Sequence, residues 1–227
     1  MIPELDAVFK KYETLVRQVD GIFENVRQQF SDFVNCKLEC SDCCHAIFDL
    51  SFLEALYINR QFLEKVAEER KLEIFDDANV ADRKIYRLKR KAFKAVEAGE
   101  KSEEQILLEM ATERIRCPLL NEDNRCDLYD CRPLTCRLYG IPTSFGGRSH
   151  TCGLSGFKEG ESYPTVNLDS VNVKLHALSD EIVSVLKSKH AKMGDLLMPL
   201  SMALLTVFDE DYLGIKADQE NSQDIQD

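Results

Sequence analysis

The amino-acid sequence predicts a mostly α-helical protein, a helical bundle with a long N-terminal helix and an irregular, cysteine-rich loop region that a metal would organise. Apolar residues recur at spacings of three and four along several segments, which is the period of one buried helical face. No segment alternates apolar and polar residues convincingly, as a half-buried strand does. All nine cysteines fall into two clusters, the second of them in a stretch rich in proline and glycine.

The first predicted element is a long helix that begins at Pro3, because proline is favoured at the first helical position. Its apolar stripe continues at helical spacing as far as Phe33, and the spacing of the next cysteines allows the helix to run on to Cys44. At 1.5 Å per residue it would be roughly 45 to 50 Å long, so it must pack along other helices or extend from a body. Its long apolar face also suggests a helix-packed homodimer.

Two capping boxes mark the starts of further helices. Ser51 and Glu54 precede one apolar run, and Ser102 and Gln105 precede another, with Pro118 beyond its end. In each box the serine and the acidic or amide side chain satisfy backbone N–H groups at the helix start. Each pair therefore predicts a helix N-terminus.

The remaining elements follow from spacing and from turn residues. A helix is predicted over about 80–98, ending at Gly99, a usual helix stop. Residues 118–165 carry four prolines and six glycines, which is a composition of turns and irregular loops. Helical spacing returns over 168–190, and 196–208 is predicted to be a short, strongly apolar helix.

We expect one helical domain over residues 1–208, which contains the cysteine-cluster region 36–152, and an acidic, flexible tail over 209–227. The tail has seven acidic residues and one lysine, which gives more than half of the net charge of −11. This charge argues against general nucleic-acid binding. No run of eighteen apolar residues predicts a membrane helix, and the N-terminus lacks a secretion signal, so a cytoplasmic location is expected.

One segment has the opposite charge and lies on a helical pattern. A solvated helix face is one interpretation, and a docking patch for an acidic protein or RNA is the other. The segment's basic residues are Arg83, Lys84, Arg87, Lys89, Arg90, Lys91 and Lys94.

The cysteine clusters predict metal binding. Thiolates are soft ligands that select zinc, copper(I) or iron–sulfur centres, and in a cytosolic protein clustered thiols favour ligands over disulfides or core packing. Thiolates on one helical face would repel one another and could not complete a coordination shell, so the second cluster must fold back onto the first. The first cluster is Cys36, Cys40, Cys43 and Cys44, and the second is Cys117, Cys126, Cys131, Cys136 and Cys152.

The spacing favours iron–sulfur over zinc. Zinc knuckles usually present thiolates from two-residue spacers, whereas Cys36 and Cys40 are separated by three residues. Helix positions three and four apart have Cβ atoms about 5 to 6 Å apart, which suits the larger body of an iron–sulfur cube. Cys43 and Cys44 are adjacent and would most naturally serve different centres, unless one of them is unligated.

The cysteine region resembles the YkgJ-type cysteine-cluster family of zinc- or iron-chelating domains. The residues that carry the resemblance are Cys36-x3-Cys40-x2-Cys43-Cys44, Cys117-Pro118-Leu119-Leu120, Cys126-Asp127-Leu128-Tyr129, Arg132-Pro133-Leu134-Thr135-Cys136-Arg137-Leu138-Tyr139 and Cys152. The resemblance implies eight metal ligands, which are Cys36, Cys40, Cys43, Cys44, Cys117, Cys126, Cys136 and Cys152. Cys131 has no expected ligand position and is the extra thiol, although it could replace another. The same domain type resembles part of flagellin lysine N-methylases, which implies a [4Fe–4S] centre and S-adenosylmethionine.

The sequence allows more than one role for several other residues near the cysteines. His45 and His150 lie near cysteines and could be alternate ligands or exposed neighbours. Arg132 and Arg137 flank Cys136, where they could raise the reduction potential of a cluster or form structural salt bridges. Three aromatic residues are expected to cover the site and restrict water: Tyr129, Tyr139 and Phe145.

Three function classes remain open. The first is a metal-binding protein that uses an iron–sulfur cluster in electron transfer, sensing or metal and cluster handling. The second is a structural zinc module that presents its helices to a protein partner. The third is a cluster-dependent enzyme. A radical S-adenosylmethionine enzyme fits poorly because the sequence lacks alternating strands and helices, and a Cys–His hydrolase fits poorly because nothing marks an activated nucleophile.

Overall fold

A computed structural model describes residues 3–37, 40–158 and 160–215. The described residues are mostly helical, so the predicted fold class is confirmed. The α-helices are α1 Asp6–Gln29, α2 Phe52–Lys65, α3 Glu68–Glu97, α4 Glu103–Thr112, α5 Leu134–Leu138, α6 Leu168–Val185, α7 Leu200–Leu205 and α8 Glu210–Leu213. The strands are β1 Asp49–Ser51, β2 Thr143–Phe145, β3 Arg148–His150, β4 Val166–Asn167 and β5 Leu197–Pro199.

The strands form two small sheets that the sequence did not predict. β1 pairs antiparallel with β5, with Leu50 opposite Met198. The second sheet has the order β3-β2-β4, in which β2 is antiparallel to β3 and parallel to β4. Strands of two or three residues are too short to show an alternating pattern, which explains why the sequence did not reveal them.

The first helix ends earlier than predicted. α1 ends at Gln29, so the prediction that it runs on to Phe33 or to Cys44 is wrong. Phe30 and Phe33 keep helical spacing, but their rings pack with Phe157 and Tyr163 in an aromatic cluster, with neighbouring centroids 5.0–6.1 Å apart. The first cysteine group therefore lies beyond the helix, in a loop and in a 3₁₀ turn, Asp42–His45.

The core forms around α2, which packs against α1 through shared buried side chains and directly against α6 and α7. The apolar face of α1 is buried within the chain, and it also contacts α5 and α6. The face that suggested a homodimer is therefore covered by the protein itself. The homodimer stays a prediction. The buried residues of α1 are Val8, Phe9, Tyr12, Leu15, Val19 and Val26.

Both predicted capping boxes are present, at Ser51 with Glu54 and at Ser102 with Gln105. The helix predicted over 80–98 ends where expected, before Gly99 with φ of +70°, but it begins at Glu68. The first three turns of this helix contain many charged residues, which interrupt the apolar spacing on which the prediction was based. The basic segment lies on the C-terminal half of this helix, α3.

Two later predictions are corrected. The helix predicted over 168–190 ends at Val185, and Lys187 follows with a φ of +48°, which ends helical geometry. The helix predicted over 196–208 is instead β5 followed by α7. Pro199 explains the difference, because its ring would clash in a helix interior, and it stands directly before α7 instead.

The first residues of the predicted acidic tail form a short helix. Glu210–Leu213 form α8, capped by Asp209, and Leu213 is buried. Residues 216–227, where most of the predicted tail falls, lie outside the described residues. No helix within the described ranges is long and apolar enough to cross a membrane.

Candidate metal centre

Backbone pairing brings the two cysteine groups together. The amide of Cys117 donates to the carbonyl of Cys44 at 2.7 Å, and the amide of Ile115 donates to the carbonyl of His45 at 3.0 Å. Ala46 and Arg114 form an antiparallel bridge next to them. The predicted convergence of two distant chain segments is therefore present in the fold.

The thiols surround an open cleft of about 660 Å³. Its cysteines are Cys36, Cys40, Cys43, Cys44, Cys126, Cys136 and Cys152. Behind it lies a small apolar cavity of about 50 Å³, lined by Cys117 together with four of the same cysteines, Cys43, Cys44, Cys126 and Cys136. All eight cysteines of the predicted ligand set thus line one of two adjoining spaces.

Cys131 lines neither space. It is buried at 5% exposure, and its sulfur accepts from Lys65 Nζ at 3.2 Å and donates to Gln61 Oε1 at 3.4 Å. This position agrees with the expectation that Cys131 is the extra thiol. The ligand set itself stays a prediction.

The donor chemistry of the eight thiols fits zinc or an iron–sulfur centre, since both prefer thiolate ligands. The thiols are nevertheless arranged as protonated groups. Cys36 Sγ donates to the Tyr139 carbonyl and Cys152 Sγ to Asp42 Oδ2, each at 3.5 Å. Within the described ranges no three His, Cys, Asp or Glu side chains are already positioned to hold a metal ion. A metal must displace these S–H protons, and the side chains must rearrange to form its coordination shell.

The surroundings of the thiols favour the neutral form. Burial, followed by the repulsion of neighbouring thiolates, raises the pKa of Cys36 to about 11. The same two causes raise the pKa of Cys117 to about 12. The pKa of Cys43 is raised first by its hydrogen bond with Cys44 and then by burial. Several thiolates can therefore coexist here only when a cation offsets their charge.

Arg132 places a positive charge beside the thiols. It lines both spaces, and its guanidinium carbon lies 3.5 Å from the Tyr129 ring centroid. Its charge lowers the pKa of Cys36 and of Cys126, although burial outweighs it. Arg132 can therefore reduce the net negative charge of a thiolate centre.

Arg137 has a structural role. Its guanidinium donates to both oxygens of Asp20 at 2.9 and 2.8 Å, to the Arg132 carbonyl at 2.8 Å and to the Asp130 carbonyl. Its side chain is only 7% exposed. It joins α1 to the segment that carries Cys136.

Glu54 holds the same segment from the other side. Its carboxylate accepts from the Leu134 amide at the start of α5 at 2.9 Å, and also from Ser51 and the Tyr12 hydroxyl. Burial raises its pKa. The sequence identified Glu54 as a capping residue but could not show that it also fixes the helix of Cys136.

Two aspartates beside the cysteines join distant segments. Asp42 pairs with Arg114, and Asp127 pairs with Arg70 at 2.9 Å. Asp127 also accepts from Asn121 Nδ2 at 3.1 Å. They hold the loops that present Cys43 and Cys126.

The other predicted residues divide between the cleft and the surface. Tyr129 and Tyr139 line the cleft, whereas Phe145 lies on β2, is 45% exposed and lines neither space. His45 Nδ1 lies 3.1 Å from the Ser41 carbonyl, beside the first cysteine group. His150 is exposed on β3. Of the three aromatic residues expected at the site, only the two tyrosines are there.

Comparison with known proteins gives one match. The family model for the CxxCxxCC domain, described as a "putative zinc- or iron-chelating domain", matches residues 35–153, which is more than half of the chain. No curated protein and no solved structure matches the chain significantly. The matched range begins just before Cys36 and ends just after Cys152, so it encloses all nine cysteines.

Proposed function

Because the chain belongs to the CxxCxxCC family of metal-chelating domains, we propose that it holds an iron–sulfur cluster of the [4Fe–4S] type through cysteines of both groups. The proposed role of the cluster is electron transfer, sensing or metal and cluster handling. The observation that carries this proposal is the lining of two adjoining spaces by eight thiols from distant parts of the chain.

Three features support iron–sulfur over zinc. The open cleft of about 660 Å³ has room for an inorganic body larger than one ion. The first cysteine group follows a spacing wider than that of zinc knuckles. Arg132 supplies positive charge beside the thiols, and nearby charge is one of the factors that set cluster reduction potentials.

A structural zinc module is the second candidate, and the exposed surface of α3 and α4 supports it. Phe93 is 66% exposed and Leu107 is 62% exposed, and no residue of α4 is buried. Basic side chains of α3 line a groove between these helices. A partner for this surface would be an acidic protein segment with apolar residues. Binding that weakens steeply with added salt would support such a partner.

Metal analysis by mass spectrometry on protein purified without oxygen tests the two candidates. An iron–sulfur protein is brown, contains iron and acid-labile sulfide in equal amounts, and bleaches on oxidation. A zinc module is colourless and loses helix content when a strong chelator removes the metal. Protein that contains neither metal, and that takes up neither on anaerobic reconstitution, would refute both.

A cluster-dependent enzyme is the third candidate, because the cleft is wide enough to admit a small molecule beside a cluster. Addition of S-adenosylmethionine to the iron-loaded protein, reduced with dithionite, tests it by electron paramagnetic resonance, because the resting cluster is diamagnetic and gives no signal. A changed spectrum supports the enzyme, and an unchanged one counts against it.

A further inference from the structure

We propose that the eight cysteines form two separate metal centres. The inner centre would be held by Cys117, Cys126, Cys136 and one of the adjacent residues Cys43 and Cys44, and the outer centre by Cys36, Cys40, Cys152 and the other residue of that pair. This inference rests on the proposed function, since it assumes that the thiols bind metal.

Two cysteines of the inner group lie on a loop whose two sides are hydrogen-bonded to each other. Leu120 and Cys126 form an antiparallel bridge, and the Asp127 amide donates to the Leu119 carbonyl at 2.8 Å. Cys117 and Cys126 therefore stand at the two ends of a short hairpin-like loop. Cys117 lines only the small apolar cavity, whereas Cys36, Cys40 and Cys152 line only the open cleft.

The outer group is held by a second, separate contact between chain segments. The Gly156 amide donates to the Phe33 carbonyl at 2.8 Å, and Asn35 Nδ2 donates to the Leu154 carbonyl at 2.6 Å. These bonds lie next to Cys36 on one segment and to Cys152 on the other. Neither of these two cysteines, nor Cys40, lines the inner cavity, and all three line the open cleft.

The adjacent pair Cys43 and Cys44 lies between the two groups, because both residues line both spaces. They stand in a 3₁₀ turn, Asp42–His45, where successive side chains are rotated by about 120°. Their thiols are hydrogen-bonded to each other, so the pair stands where the two centres would adjoin. One thiolate of the pair for each centre then completes two shells of four, the number that zinc and [4Fe–4S] clusters prefer.

The test measures metal per chain in Cys36→Ser and Cys117→Ser proteins, with Cys131→Ser as the control. The element counted is the one that the unaltered protein binds. Two centres predict that each single variant loses about half of the metal, that the double variant loses nearly all of it, and that Cys131→Ser loses little. A single variant that loses nearly all of the metal would show one shared centre. Unaltered protein without metal would instead refute the proposed function.

The reactivity of each cysteine with an alkylating reagent provides a second measurement if a variant folds poorly. In metal-loaded Cys36→Ser protein we expect Cys40 and Cys152 to react with iodoacetamide while Cys117, Cys126 and Cys136 stay protected. Cys152→Ser, a surface-loop variant, provides a second route to the same pattern. Simultaneous exposure of both groups in both variants would overturn the division into two centres.

Discussion

A buried carboxylate, Glu54, holds the short helix that carries Cys136. Glu54 accepts hydrogen bonds from two backbone segments and from Tyr12, and it is 4% exposed. When a buried acceptor no longer meets its donors, those donors are left without partners, and the protein loses about 1–3 kcal/mol of stability. The side chain of Cys136 follows Leu134 on the same short helix, so a change at Glu54 reaches the metal site.

We therefore predict that Glu54→Gln destabilises the protein by about 1–3 kcal/mol and lowers metal affinity, because the new amide N–H₂ would face the Ser51 donors. Denaturant unfolding and metal titration measure the two effects. Glu69→Gln, an exposed change on α3, serves as the control. An equal loss in both variants would contradict the structural role of Glu54.

Burial raises the folded pKa of Glu54 above its unfolded value, so the folded state binds this proton more tightly. The contribution of this group to stability is then fully present below the unfolded pKa and is lost as the pH rises through the folded pKa. In Glu54→Gln protein this decline should be absent. Unfolding free energies measured over acidic to neutral pH check the sign, and an identical pH profile in the variant would contradict it.

Gly140 gives a second prediction at the residue scale. Its φ is +107°, and a Cβ there would overlap Cys36 Sγ. Gly147 also has a positive φ, of +76°, but a Cβ there would meet open space. We expect Gly140→Ala and Gly147→Ala to lose about 1–2 kcal/mol each from backbone strain.

Only Gly140→Ala should displace the Cys36 thiol. The expected result is reduced metal content and alkylation of Cys36 in the loaded protein, with Gly147→Ala unaffected in both. Equal metal content in the two variants would show that Cys36 is not a ligand.

At the scale of elements, the cysteine-rich loop is attached to the helices by buried polar side chains. Arg137 joins α1 to the segment before α5, and its removal leaves the carbonyls of Asp130 and Arg132 without their partner. We predict that Arg137→Met destabilises the protein by about 2–4 kcal/mol. Asp20→Asn should cost less, because Asp20 is 48% exposed and water can replace it.

Thermal unfolding of the two variants measures this order, and Arg148→Met provides a matched control at an exposed ion pair. If Asp20→Asn destabilises the protein as much as Arg137→Met does, the stabilisation comes from the ion pair and not from the contacts with the backbone carbonyls.

The elements show which parts of the fold the sequence could reveal. Local signals succeeded: the capping boxes at Ser51 and Ser102 and the stop at Gly99 depend on neighbouring residues alone. The end of α1 could not be predicted, because Phe30 and Phe33 keep helical spacing while their packing partners lie more than 120 residues away. The distant partners of Glu54 and Arg137 could not be predicted for the same reason, since these contacts join segments that are far apart in the sequence. The cysteine clusters were visible because thiol density itself is unusual.

At the scale of the whole molecule, the helices and the cysteine-rich region differ in how they are stabilised. α2 and α6 are regular helices within the apolar core, whereas residues 117–152 add side chains such as Leu128 and Leu138 to that core but contain little regular structure. We predict that removal of metal by a chelator leaves α2 and α6 protected from hydrogen exchange but exposes the amides of 117–152. This difference follows because residues 117–152 have little helix or strand to protect their amides, so metal-binding energy becomes folding energy mainly there.

Hydrogen exchange with mass spectrometry, compared before and after chelation and again after metal is restored, checks this prediction. Uniform loss of protection over the whole chain would show that the metal supports the entire core. No change at residues 117–152 would show that the loop is ordered without metal.

The contact between Phe33–Asn35 and Leu154–Gly156 has a consequence during synthesis of the protein. A ribosome that adds about 5–20 residues per second needs roughly 6 to 23 s to proceed from Cys36 to Cys152. Throughout that interval the earliest thiols are outside the ribosome without their later partners. The nascent chain is therefore open to oxidation or to capture of the wrong ion until its second half emerges.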